Sequence, residues 1–220
     1  MSTSCGESAQ PKLIYRGAEA DIYLENWHDE LLVRKSRITK SYRTSELDET
    51  IRRTRTAHEA IIMQAVRKIG VPVPSMRHID PESSTLIMEY VKGPTLKDEL
   101  TNIPMGQRKM RCTLLGTLVG QMHNAGIVHG DLTISNVLTE GVKLFIIDLG
   151  LGNFSAEIED QGVDFLLLNR ALRSTHYALH RVLFKAFLKG YSRAAGNQQS
   201  KKVQAKMKEI EQRGRYFERG

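Results

Sequence analysis

The chain has 220 residues, 40% of them hydrophobic, and 32 Lys and Arg against 25 Asp and Glu, for a formal net charge of +7. This is enough for one large domain or two small lobes with a real core, and it excludes a disulfide-stapled miniature fold: the only cysteines are Cys5, in a polar leader, and Cys112, in a helical pattern. No stretch approaches the ~20 apolar residues of a membrane span. The excess positive charge predicts an anionic partner beyond a bound nucleotide, with nucleic acid the first candidate.

Residues 1–11 read as a loose polar leader without a basic-then-apolar signal pattern. Leu13-Ile14-Tyr15 then opens a strand, Gly17-Ala18-Glu19-Ala20 turns, and Asp21-Ile22-Tyr23-Leu24 returns. A small-residue turn leaves backbone N–H groups open to phosphates, so Ile14, Arg16, Gly17, Ala18, Glu19, Ala20 and Ile22 are candidates to line a nucleotide. An ordinary hairpin is the competing reading, because one glycine stands where protein kinases have three. There is no G-x-x-x-x-G-K-[ST] run, which argues against a P-loop enzyme.

Residues 30–35 (ELLVRK) read as a further strand ending in a cation. Lys35 is preferred over Arg34 and Arg37 as a phosphate contact, since Leu31, Val33 and Lys35 alternate onto one face. From Arg37 to Arg55 the chain is rich in Lys and Arg, either as a solvated face or as a grip on an anionic partner. A helix follows, with Glu59, Ile62, Met63 and Val66 on one face. A carboxylate on an apolar face wants a cation, and Lys35 is the expected partner of Glu59. Residues 71–74 (VPVP) end the helix. Residues 85–90 (TLIMEY) form a strand running into Val91-Lys92-Gly93-Pro94, the pattern of a kinase hinge. Backbone groups near Glu89 and Val91 would meet an adenine edge, with Met88 lining the pocket. Thr95 starts a helix, and Met110 to Met122 forms another, whose methionines read as core.

Next come His129-Gly130-Asp131-Leu132-Thr133-Ile134-Ser135-Asn136 and, twelve residues after Asn136, Asp148 at the end of an apolar run. An Asp, an Asn five residues on, and a second Asp before glycine is the spacing of a phosphoryl-transfer site. Asn136 and Asp148 offer oxygens to Mg²⁺, and Asp131 would orient an attacking hydroxyl or water and take its proton. His129 reads as a packed structural histidine. Asp164 starts a helix running through Leu172, helical pattern continues to about Tyr191, and residues 192–220 read as helix followed by a basic tail.

Taken together, these residues resemble the small atypical kinase of the KEOPS/EKC complex, the PRPK family, related to RIO-type kinases. The resemblance rests on GAEA (17–20), KSRITKSYR (35–43), LDETIRRTRTAHEA (47–60), HGDLTISN, IDLGL, EDQGVD (159–164), STH (174–176) and the ending RGRYFERG. It implies an α+β, minimal protein-kinase-like fold: a small β-rich N-lobe (12–91), a mostly helical C-lobe (92–191) and an ATP cleft between them, then the C-terminal helix and tail (192–220). It also implies ATP and Mg²⁺ as cofactors, Ser/Thr kinase or ATPase activity, and a role in threonylcarbamoyladenosine formation on tRNA. The implied partners are the tRNA threonylcarbamoyl transferase subunit, a small regulatory subunit and tRNA, with no membrane, in the cytoplasm or nucleus. By motif position, Lys35 and Glu59 form the ion pair, Asp131 is the base, and Asn136 and Asp148 hold the metal. The alternatives are a RIO-type or small-molecule phosphotransferase and a nucleotide-binding scaffold without essential catalysis.

The chain departs from ordinary protein kinases at Gly130, where they carry an arginine for an activation-loop phosphate, and at Thr133, where Ser/Thr kinases carry a lysine. It also lacks an A-P-E motif between Gly150 and Asp164. Regulation by loop phosphorylation and strong peptide selectivity are therefore not expected. Tyr216-Phe217-Glu218 interrupts the basic tail.

Overall fold

A computed structural model describes residues 11–27 and 30–217, with side chains as far as Arg213. Cys5, most of the expected leader, and Glu218 and Arg219 lie outside what it describes, as do the side chains of Arg215, Tyr216 and Phe217. Two compact units are present: residues 1–61 with 74–90, and residues 62–73 with 91–220.

The first unit is a five-stranded antiparallel sheet in the order β1-β2-β3-β5-β4, with most of a long helix. β1 (Lys12–Arg16) and β2 (Ala20–Trp27) form the expected hairpin, closed by Gly17 N donating to Ala20 O at 3.0 Å. The register slips at Ile14, between the pairs Leu13–Tyr23 and Tyr15–Ile22. β3 (Glu30–Arg37) buries Leu32, Lys35 and Arg37 and leaves Leu31 half exposed. Lys35 is thus inward, but with Arg37 and Val33 rather than with Leu31. β5 (Thr85–Glu89) pairs with β3 and with β4 (Met76–Asp80). β4 has no counterpart in the sequence reading. It is a polar edge strand with a bulge at Arg77, so period-two hydrophobicity is absent.

α1 spans Ser45–Lys68 and begins earlier than the apolar face implied. Its first turns are held by charge: Asp48, fully buried, accepts from Lys40 N and pairs with Arg52 at 2.7 Å and Arg43 at 3.5 Å. The Arg52 hydrogen bond holds that carboxyl below the usual range. The helix stops where Gly70 takes a φ of 81° and Val71 N bonds back to Val66 O at 3.3 Å, ahead of the two prolines.

In the second unit, α2 (Leu96–Asn102) is capped by Thr95, whose hydroxyl accepts from Asp98 N. α3 (Met105–Asn124) buries Cys112, Leu115, Leu118, Val119 and Met122, whereas Met110 is exposed and is not core. Burial pushes the Cys112 thiol up to about 12, so it stays neutral. β6 (Ile127–Val128) pairs with β9 (Asn153–Phe154), and β7 (Val137–Glu140) with β8 (Lys143–Ile146). α4 (Ile158–Thr175), α5 (His180–Ala195) and α6 (Asn197–Phe217) complete the unit. The boundary expected after Tyr191 falls inside α5. α6 is an integral packed helix, burying Val203 and Met207 and pairing Lys206 and Arg213 with Glu159 on α4.

α3 and α5 approach closely because glycines line the seam. A Cβ on Gly116 would lie 2.0 Å from Phe187 O, and one on Gly190 would lie 1.8 Å from Thr113 O. Phe165, Phe187 and Tyr191 then fill the core edge to face, with Phe165 4.7 Å from Tyr191 and 5.2 Å from Phe187 between ring centres. Gly116→Ala is expected to destabilise the chain by about 1–3 kcal/mol or more through overpacking. Gly106→Ala, at a helical position with open space, should stabilise by up to ~1 kcal/mol. Urea unfolding of the two variants tests the contrast.

Candidate active site

The β7–β8 hairpin explains why residues 136 and 148 belong together. Asn136 immediately precedes β7 and Asp148 follows β8 by two residues. Val137 pairs with Ile146, and Ile147 N donates to Asn136 O at 3.0 Å. Asn136 thus sits against the residue before Asp148. Its side-chain amide donates to Asp131 twice, to the backbone oxygen at 2.9 Å and to Oδ2 at 3.0 Å. With both N–H groups turned to Asp131, the amide oxygen of Asn136 is the atom offered elsewhere. Asp148 has a φ of 58°, a left-handed conformation uncommon for a non-glycine residue, and its side chain is exposed between the buried Ile146 and Leu149.

The loop before Asp131 is held from below by Asp164 on α4. That carboxylate, fully buried, accepts from His129 N at 2.8 Å and Gly130 N at 2.9 Å, and its Oδ2 lies 3.1 Å from His123 Nε2. Facing a carboxylate, Nε2 is a donor. His123 Nδ1 meets the Tyr191 hydroxyl at 3.0 Å, and Tyr191 reaches Gln161. Burial, then the Asp164 charge, raise the Tyr191 pKa. Sequence reasoning saw Asp164 only as a helix start. The signal was there: one carboxylate inside the apolar run Val163-Asp164-Phe165-Leu166, the same pattern that singled out Glu59. His129 is completely buried, with Nδ1 3.3 Å from Asp131 N. Gly130 has a φ of 77°, and a Cβ there would lie 2.0 Å from Leu151 O, so the kinase arginine has no room here.

The first unit holds the other candidates except Val91. Lys35 Nζ lies 2.7 Å from Glu59 Oε1, and Arg37 lies 2.6 Å from the other oxygen, Oε2. All three are buried. Arg34, the remaining competitor, faces Glu25 and stacks over Tyr23. The residue 17–20 turn is tied down: Gly17 N is bonded within it, Ile38 N donates to Glu19 O, Arg55 pairs with Glu19 at 3.1 Å, and Lys40 donates to Ala18 O. Ala20 is buried, Ile22 half buried, and Ile14 and Arg16 exposed. Along β5, Met88 is buried and Glu89 N donates to Ser75 O. Val91, in the second unit, is buried.

The basic run is not a bare cationic face. Arg37, Arg43, Arg52, Arg53 and Arg55 are paired with Glu59, Asp48, Asp48, Glu82 and Glu19 respectively.

Comparisons with known proteins agree with this architecture. Residues 28–152 match the RIO domain, and the chain belongs to the RIO family. The resemblance read from the sequence is borne out. The chain is 42% identical over 214 residues to the KEOPS complex subunit Bud32 of Pyrococcus abyssi, covering 94% of this chain and 97% of that one. It is 39% identical to a probable bifunctional tRNA threonylcarbamoyladenosine biosynthesis protein of Methanothermobacter thermautotrophicus, spanning 97% of this chain but only 38% of that one. Among solved structures, WaaP in complex with acyl carrier protein aligns with a TM-score of 0.66 at 16% identity, over 94% of this chain and 88% of that chain. A Rio2 kinase–ADP/Mg²⁺-phosphoaspartate complex from Chaetomium thermophilum aligns with a TM-score of 0.62 at 16% identity, over 90% and 70%. These likenesses show the fold, and the expected α+β kinase-like class holds.

Because Arg37 also satisfies Glu59, Lys35→Met should leave the chain folded with a modest loss of stability. Glu59→Ala should cost ~3–5 kcal/mol, by stranding two buried cations. Denaturant midpoints of the two variants check the order.

Proposed function

We propose that the chain is an atypical Ser/Thr protein kinase with ATPase activity, dependent on ATP and Mg²⁺. It works within a KEOPS-type assembly that supports threonylcarbamoyladenosine modification of tRNA. The observation that carries this reading is the convergence of Asp131, Asn136 and the residue preceding Asp148 through three hydrogen bonds of 2.9 to 3.0 Å.

The residues fit a magnesium nucleotide. Mg²⁺ favours oxygen donors and commonly takes only one or two from the protein, completing its shell with phosphates and water. The Asn136 amide oxygen, oriented by the bonds to Asp131, and the Asp148 carboxylate supply that set. When bound, the ion would neutralise charge on the phosphates during transfer. Lys35, held by Glu59, is the cation for the phosphates, and the turn of residues 14–22 with Met88, Glu89 and Val91 would line the nucleotide. Asp131 orients the attacking oxygen and takes its proton as the bond from the terminal phosphorus to ADP breaks.

Water is favoured as an acceptor beside protein hydroxyls. The chain passes from Gly150 to α4 at Ile158 through β9 and a short connection. That leaves little for docking a peptide.

The names of the relatives support the assembly. Bud32 is a KEOPS subunit, and the bifunctional proteins are named for biosynthesis of the modified nucleoside on tRNA. In the bifunctional relatives the matched segment makes up only 38% of a longer chain with a second function, and this reading assigns the tRNA threonylcarbamoyl transferase subunit as a partner. A small regulatory subunit and tRNA itself are the other partners of this reading.

Asp131→Asn should lower ATP turnover ~10²–10⁴-fold while sparing ATP affinity, and Asp148→Asn should weaken magnesium-dependent nucleotide binding. Phosphate release and nucleotide titration, alone and with partner subunits and tRNA, provide the test. Normal turnover in the double variant would remove the proposal.

A further inference from the structure

Among the described residues, the clearest site that the phosphoryl-transfer reading leaves unexplained is an open groove of about 1080 Å³ along α5, lined also by α3 and by Asn197 and Gln204 of α6. Arg181, Lys185, Lys189 and Arg193 line it at intervals of four residues, and Lys109 of α3 joins them. All five are exposed, and none forms an ion pair among the described residues. No Asp or Glu lines the groove, and neither α3 nor α5 contains one anywhere along its length.

We propose that this groove docks the phosphate backbone of a structured RNA. A solvated helix face ordinarily interleaves opposite charges four residues apart, because like charges at that spacing repel. α6 does so: Lys206 and Arg213 share Glu159 and Glu209. α5 retains four unrelieved cations in a row instead, which is the pattern a polyanion rewards. At 1.5 Å per residue the row spans about 18 Å, long enough to follow several consecutive phosphates of one strand. The arginines of residues 37–55, which composition had favoured, each pair with a carboxylate of the first unit. The choice of RNA rests on the tRNA reading above.

The test uses the full chain with all four α5 cations changed, R181Q/K185Q/K189Q/R193Q, and a tRNA transcript followed by fluorescence anisotropy across a salt series. Melting temperature and basal ATP turnover of this variant should be unchanged. Its tRNA affinity should fall at least ~10-fold at low salt, and the slope of log affinity against log salt should shrink by about 3. R53Q/R55Q should bind like the parent. An unchanged quadruple variant overturns the groove. A loss confined to R53Q/R55Q moves the contact to α1 and sinks the groove while the tRNA reading survives. Poly-glutamate competing as well as tRNA would assign the groove to an acidic protein instead. A parent chain that binds no tRNA overturns both groove and RNA partner, leaving the ATP turnover test standing on its own.

Discussion

One buried carboxylate holds the loop ahead of Asp131 in shape. Asp164 takes the backbone N–H groups of His129 and Gly130 and faces a ring nitrogen of His123, so three donors converge on a single anion. A buried charge is tolerable only with such saturation. Conversely, the two amides would be costly orphans without it. From that anchor the chain proceeds to Asp131, whose side chain and carbonyl hold the amide of Asn136, and then into a hairpin whose register brings the chain back to Asp148. Each contact orients the next, and the anchor lies on a helix more than thirty residues away in sequence.

What could be read in advance followed from how local the physics was. The hairpin at residues 17–20, the Thr95 cap and the end of α1 depend on neighbours within a few positions, and the sequence showed all three. Glu59 stood out because a carboxylate among Ile62, Met63 and Val66 contradicts its surroundings. Asp164 contradicts its surroundings just as clearly, but two of its three partners are backbone groups, which carry no residue-specific signal, and the third, His123, is more than forty residues away. The start of α1 was hidden for the opposite reason: its first turns are held by Asp48, Arg43 and Arg52 rather than by an apolar stripe. β4 was hidden by its polarity. A helix was expected after residue 192, but its packing was not, because the basic composition hid the small apolar seam of Val203 and Met207.

The electrostatics carry the same lesson. A net charge says nothing of which cations are already answered. Around Glu59 two cations share one anion, a buried arrangement in which each oxygen has its own donor. Around Asp48 a second anion is enclosed in the same way. These clusters convert a run that looks basic on paper into internal scaffolding, and they set the first unit apart from the helices of the second, where α3 and α5 bear no acid at all.

Gly130 carries a further consequence. Its left-handed backbone and the carbonyl of Leu151 pressed against it leave no volume for any side chain. Introducing an arginine would require the neighbouring segment to be rebuilt at the same time, so no single codon change creates a phosphate-sensing loop here. An engineer wishing to install a phospho-switch would have to begin at residue 151.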